Sequence, residues 1–279
     1  MQQEIKDYTE NELLPFWTQR TIEPINGGFI THFDEFGVDT GEDEKSLIAQ
    51  TRSIFTYSQA YRHGFGGPIM LEMAKNGVKF LLEKMWDKAH GGFYWMTDRA
   101  GNPTNKQKIG YGHSFVIYSL SEYFLASGDP KGLEYAEKVF DLLQKHAVDT
   151  NYGGYWEFFD EDWTLMGPGA PGGDRKTLDV HMHLMEAFTT LFEASRKSLH
   201  RRKLEEVIEI LIHKIMHPVT GTGIPQFWAD WSVAPQIKFD VVWGWDRFAD
   251  GGQKASSTDN TSYGHNVEFG WLLMHAIKI

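Results

Sequence analysis

Gly91-Gly92-Phe93-Tyr94-Trp95-Met96-Thr97-Asp98 sets two glycines ahead of three aromatic residues and an aspartate, and related stretches recur three times in the chain. Gly27-Gly28-Phe29 runs to Asp34, Gly153-Gly154-Tyr155-Trp156 runs to Asp160, and a looser Gly223-Ile224 precedes Phe227, Trp228 and Asp230. Measured between positions 28, 92, 154 and 223, the spacings are 64, 62 and 69 residues. A period of that size is one helical hairpin plus a long loop, so the pattern predicts a repeat array of hairpins. Residues that carry chemistry should then share a phase in every repeat.

The segments between the turns read as helices. Residues 3–19 form an amphipathic stretch, 45–61 carry apolar residues at helical spacing, and Pro68 opens a further helix to Met85. The second unit predicts helices from Tyr111 to Ala126 and from Pro130 to His146, separated by Ser127-Gly128-Asp129-Pro130. The third predicts helices at 177–195 and 199–216, and the fourth a last helix from about Gly264 to Ile279. Alternation around 241–243 suggests a short strand in the longest loop. The fold class is therefore all-α, a toroid or horseshoe of about eight helices in antiparallel hairpins with short β segments in the loops. No linker divides residues 1–279, which read as one domain. The last helix has no glycine stop and no partner, so the sequence is expected to be a fragment of a longer array.

The bulk composition removes several function classes. A net charge of −11 argues against nucleic acid or an anionic membrane surface as a partner. There is no cysteine, so disulfides, thiolate chemistry and cysteine metal sites are unavailable, which fits a cytoplasmic protein. The N-terminus lacks a basic start followed by an apolar run, and no apolar stretch is long enough to span a bilayer. Aromatic residues make up 14%, mostly core mass, with Trp and Tyr available to stack on the flat faces of ligands.

Each helix after a decorated loop begins with polar groups: Gln50, Arg52 and Tyr57; Tyr111 and His113; Asp179, His181 and His183; Tyr263, His265 and Glu268. Tyr-Gly-His occurs at both 111–113 and 263–265. Helices at equal phase around a ring bring their first turns to one end of a central cavity. A single histidine near a helix start is more often a cap or a packed polar group. His181 and His183 lie about 200° apart on a helix, so only one of them can face the cavity. His265 and Glu268 share a face, which lets Glu268 accept from the imidazole and set its tautomer. Arg52 is either a surface residue or a cavity-facing cation for hydroxyls or a carbonyl. Phosphate loops, dinucleotide glycine patterns and the Gly-x-Ser-x-Gly elbow are missing. His181-x-His183 has poor spacing for chelation, so no metal is expected. The carboxylates Asp34/Glu35 and Asp160/Glu161/Asp162 would suit glycoside hydrolysis, but they sit in turns.

The runs Gly27-Gly28-Phe29 … Gln50-Thr51-Arg52 … Tyr61-Arg62, Tyr111-Gly-His-Ser-Phe, Gly153-Gly154-Tyr155 to Trp163, Asp179-Val-His181-Met-His183-Leu-Met-Glu186-Ala187 and Gly264-His265-Asn-Val-Glu268 … Trp271 resemble the N-acylglucosamine 2-epimerase superfamily. That superfamily includes cellobiose 2-epimerases, mannose 2-epimerases and mannose isomerases. The resemblance implies an (α/α)6 barrel and metal-free, cofactor-free isomerisation at C2 of a reducing-end aldose. It implies catalytic roles for His265, His183 and Glu268, and sugar binding by Arg52, Tyr111, His113, Asp179 and Trp271. A second acid/base histidine would lie in C-terminal helices beyond this chain. Asp179 stands where cellobiose epimerases usually carry Asn, and His113 where they usually carry Gln. Four turns, set against the six hairpins of such a barrel, predict an incomplete site. The expected partners are a small-molecule sugar and, as an assembly option, a second copy in a homodimer. The alternatives are a sugar-binding fragment without turnover and an (α/α) barrel glycoside hydrolase.

Overall fold

A computed structural model describes residues 1–235, 237–241 and 262–279. Among these residues eight helices form an inner and an outer layer. Helix α1 (2–20) contains a π-helical turn at Thr9–Leu13. It is followed by α2 (Leu47–Arg62), α3 (68–85), α4 (Gly110–Ser127) and α5 (Pro130–His146). Then come α6 (Leu178–Ser195), α7 (198–215) and α8 (Tyr263–Lys278). In the inner layer α2 packs on α4, α4 on α6 and α6 on α8, while α3, α5 and α7 each cover the helix before them. This is the predicted row of hairpins.

The two layers differ in sequence for a physical reason. From 112 to 123 every residue of α4 is buried, as a helix enclosed on all sides requires. On α5, Ala136, Val139, Phe140 and Leu143 face the core, whereas Lys131, Glu134, Lys138 and Asp141 are exposed. The predicted stop between them is present: Gly128 is left-handed at φ +73°, and the Asp129 carboxylate accepts from the Lys131 N–H at 3.0 Å to open α5.

Among the described residues seven short strands form three small sheets that join neighbouring repeats. β1 (Glu44–Ser46) pairs antiparallel with β2 (Met96–Asp98), which also pairs with β3 (Pro103–Asn105). β4 (Lys108–Ile109) pairs with β5 (Phe158–Phe159), and β6 (Arg175–Thr177) with β7 (Gln226–Trp228). Each strand entering an inner helix therefore pairs with the strand after the next repeat's turn. In register, Lys45 faces Thr97, Lys108 faces Phe159 and Lys176 faces Phe227. The strand anticipated at 241–243 falls, from 242 onward, outside the described residues.

The four turns share one construction. A bridge closes each across seven residues: Ile22 to Phe29, Trp86 to Phe93, Val148 to Tyr155 and Met216 to Gly223. Gly223 is thus equivalent to Phe93, not to Gly92, so the fourth turn begins at Gly221 and carries Thr222 in place of the second glycine. The true spacings are 64, 62 and 68, taken between 29, 93, 155 and 223. Gly92 and Gly154 are left-handed at φ +76° and +84°, and neither has room for a side chain. A Cβ would lie 2.6 Å from Trp163 at Gly92 and 2.5 Å from Trp231 at Gly154.

A buried clip holds each turn from behind. Glu23, Asp87 and Asp149 accept backbone N–H groups inside the turn and face the buried lysines Lys45, Lys108 and Lys176 at 3.7, 2.8 and 2.6 Å. In the fourth turn His217 takes the acid's place, with Nδ1 accepting from the Val219 and Thr220 N–H groups at 3.2 Å. A tryptophan from the following repeat then covers the turn. Trp163 donates its indole N–H to Gly91 O at 3.2 Å, and Trp231 to Tyr152 O at 2.9 Å. Both tryptophans are left-handed at φ +69°, an uncommon conformation for a bulky residue.

Candidate functional site

The first turn of each inner helix carries one residue directed at the glycine turn. Gln50 accepts from Phe29 N–H at 2.9 Å and donates back to Phe29 O at 2.9 Å. His113 Nε2 accepts from Phe93 N–H at 3.0 Å, His181 Nε2 from Tyr155 N–H at 3.0 Å, and Asn266 Oδ1 from Gly223 N–H at 2.8 Å. The other ring nitrogens donate to Ile109 O at 2.8 Å and Thr177 O at 2.7 Å. Because Nε2 accepts, Nδ1 carries the hydrogen in both rings. Burial, aided by Lys108 and Lys176 nearby, holds His113 down at about 3 and His181 at about 4.

This placement corrects the expectation for His113. It is fully buried, and both nitrogens are used within the protein, so it holds a turn and does not line the cavity. The two Tyr-Gly-His phrases are also out of register. Asn266 is the equivalent of His113, so Gly264 stands opposite Tyr111, and Tyr263 is exposed.

Two residues beyond each turn anchor, about 200° round the helix, the side chains face a common cavity. They are Arg52, Phe115, His183 and Glu268, and they line a volume of about 220 Å³ together with Tyr118 and Glu186. The Arg52 guanidinium lies 4.7 Å from the Phe115 ring centroid, and Phe115 lies 4.7 Å from the His183 ring. Tyr111 meets His183 edge-on at 5.1 Å. Burial raises both Tyr111 and Tyr118 above the usual phenol range, opposed in each case by Arg52, so these phenols stay neutral. A second cavity of about 520 Å³, lined by Thr31, His32, Ser46, Ile48, Ala49 and Tyr111, shares Arg52 with the first.

Two histidines at this end of the helices face partner carboxylates. His183 Nδ1 lies 2.9 Å from Glu186 Oε2, one turn further along α6. His265 Nδ1 lies 3.2 Å from Asp179 Oδ1 across the α6–α8 contact, with the side chains 38% and 46% exposed. The partner expected for His265 was Glu268; Glu268 instead faces the cavity with Arg52 and His183. Trp271 shares the helical phase of Tyr118 and Glu186, but it is more than half exposed, stacks on His275 at 6.1 Å and is not in the cavity wall.

Sequence reasoning missed two acids. Glu186 was visible as the fourth residue of His183-Leu-Met-Glu186, the same i,i+3 spacing that drew attention to His265 and Glu268. Glu157 is buried behind the start of α6, where Thr177 donates to its Oε2 at 2.6 Å. Burial pushes its carboxyl up to about 8, and the Asp179 charge adds to the rise. Its position between Trp156 and Phe158 was the available signal. Among the described residues no three histidine or carboxylate side chains are grouped to hold a metal ion, and no helix is long and apolar enough to cross a membrane.

Comparison with known proteins agrees with this layout. The model of the N-acylglucosamine 2-epimerase (GlcNAc 2-epimerase) family matches residues 28–278. A cellobiose 2-epimerase of Bacteroides fragilis is 30% identical over 289 residues, covering 100% of this chain and 66% of its own length. A D-mannose isomerase of Marinomonas mediterranea is 28% identical over 193 residues, which is 68% of this chain and 46% of that protein. The structure of a cellobiose 2-epimerase from Spirochaeta thermophila superposes with a TM-score of 0.82 at 30% identity, over 99% of this chain and 63% of the other. The chain thus spans about two thirds of the length of the cellobiose 2-epimerases it matches, and its hairpins are of the (α/α)6-barrel type. It belongs to the N-acylglucosamine 2-epimerase family.

Proposed function

We propose that the chain epimerises or isomerises a reducing-end aldose at C2, acting on mannose or glucose or on a glucose-terminated β-1,4 disaccharide. The observation that carries this reading is the ring of Arg52, Phe115, His183 and Glu268 at one helical phase, with His265 and Asp179 on the adjoining helix ends. The names of the relatives, cellobiose 2-epimerase and D-mannose isomerase, support the same chemistry. Removing the proton α to an aldehyde gives an enediolate, which needs a base that titrates near neutrality and a cation for the developing oxyanion. In this reading His265 is the base and Arg52 meets the oxyanion. His183, oriented by Glu186, and the neutral Tyr111 phenol hold the sugar hydroxyls, and Glu268 accepts from the hydroxyls on its side of the cavity. Returning the proton to C1 on the same face yields a ketose, and delivering one to the opposite face of C2 yields the epimer. The reading includes a cytoplasmic location, which the zero cysteine count supports, and a homodimer that sedimentation would detect.

The test is solvent exchange in D2O, followed by proton NMR on mannose, glucose and cellobiose. Deuterium at C2 of any one of them is the expected result, and no incorporation into all three overturns the reading. Binding of these sugars without exchange would establish a second reading, a sugar-binding chain without turnover. That alternative is favoured by the 38% exposure of His265, more open to water than an enediolate intermediate ordinarily tolerates.

A further inference from the structure

We infer that Asp179 is a positioning residue for His265: its carboxylate holds the Nδ1–H tautomer and leaves Nε2 as the nitrogen that exchanges the proton. This inference rests on the reading of His265 as the base, and it gives Asp179 a task other than the sugar binding first expected of it. The geometry is a 3.2 Å approach of His265 Nδ1 to Asp179 Oδ1 between two helix starts. A carboxylate can only accept, so a neutral ring that bonds it through this nitrogen carries its hydrogen on Nδ1.

Both partners are fixed from behind. Asp179 is in the first turn of α6, where Thr177 caps the helix by accepting from Val180 N–H at 3.2 Å. The same Thr177 hydroxyl donates to the buried Glu157, which ties the helix start to the turn strand beneath it. An acidic side chain in a first turn is also favoured by the helix dipole. On α8, Ser262 accepts from His265 N–H at 3.3 Å, and the next residue, Asn266, is anchored to Gly223. His265 is therefore held by its backbone on one side and faces Asp179 on the other. Like His183 and Glu186, which are hydrogen-bonded within one helix, the pair sets an imidazole nitrogen against a carboxylate, here between two helices.

The test uses the full chain with 15N-labelled histidine, and His265→Gln to assign the signal. Two-bond proton–nitrogen correlation spectra distinguish the two neutral tautomers directly, with or without activity. The wild type should show His265 as Nδ1–H, Asp179→Asn should keep that form because its amide oxygen still accepts, and Asp179→Leu should convert it to the Nε2–H form common in water. In exchange kinetics Asp179→Leu should lower kcat on the order of 100-fold with KM within about twofold, and Asp179→Asn should recover at least tenfold of that loss. An Nε2–H ring in the wild type, or a loss confined to KM, overturns the inference, the latter by making Asp179 a sugar ligand. The wild-type spectrum decides the matter even if the leucine variant does not fold. If the wild type shows the Nδ1–H form but no C2 exchange with any sugar, the pairing stands and the proposed activity fails.

Discussion

His181 and His183 are two residues apart on one helix and lead opposite lives. His181 faces the glycine turn, buried and neutral, with both nitrogens bonded to backbone. His183 faces the cavity, with one nitrogen on Glu186 and aromatic rings on two sides. The same division runs through the array: Gln50, His113, His181 and Asn266 hold turns, whereas Arg52, Phe115, His183 and Glu268 surround the cavity. Residue type does not separate the two sets, since each contains a histidine. Phase does. A glutamine and an asparagine can substitute for histidine on the turn side because that task requires only an acceptor for a backbone N–H.

The sharpest way to break the comparison is kinetic. His183→Ala should lower C2 exchange on the order of 100-fold or more, while His181→Gln should leave it within a few-fold, measured by deuterium incorporation. The reverse pattern would mean that the two faces have been interchanged. Next in size is stability. His181→Leu leaves Tyr155 N–H buried without its acceptor and should lower the urea-unfolding free energy by about 3 kcal/mol, whereas His181→Gln should recover most of that loss. His113 should follow the same rule.

Among the turn anchors, acid should act through the two buried histidines. Burial holds His113 at about 3 and His181 at about 4, while an imidazole in the unfolded chain titrates near 6.5. Between those values the unfolded chain binds more protons, so stability falls as pH drops below about 6.5. Replacing both by Gln should remove up to two protons from the pH dependence of unfolding between about 6.5 and 4. The smallest effect belongs to Glu157. Its carboxyl is pushed up to about 8, so the unfolded chain ionises first and stability falls as pH rises from about 4.5 to about 8. Glu157→Gln should therefore add about 1–2 kcal/mol at pH 7, and denaturation at pH 4 should show no gain.

How much of this was legible depends on what each residue's signal was. The hairpins could be read because two consecutive left-handed residues are rarely anything but glycine, and Gly-Gly marks three turns. The fourth slipped by one residue because Thr222 replaces the marker glycine, and only the bridge from Met216 to Gly223 restores the register. That slip does not explain the misplacement of His113. There the sugar-binding role came from the family resemblance, and the phase argument that separates His181 from His183 was not carried to His113. The pairing of His265 with Asp179 could not be read at all, since 86 residues separate them and the contact depends on how α8 sits against α6. Glu157 was hidden for the opposite reason: its burial follows from strand pairing beneath the helix start, which leaves no helical period in the sequence.

Trp163 and Trp231 give the array a direction. Each belongs to one repeat but finishes the turn of the repeat before it, filling the space over Gly92 or Gly154 and bonding to a carbonyl there. Every covered turn thus depends on its successor, so the hairpins are not interchangeable beads. Nearest-neighbour coupling of this kind makes a row of modules behave as one cooperative unit. Deleting a hairpin would uncover the turn behind it, and loss of order should spread toward the N-terminus more readily than away from it.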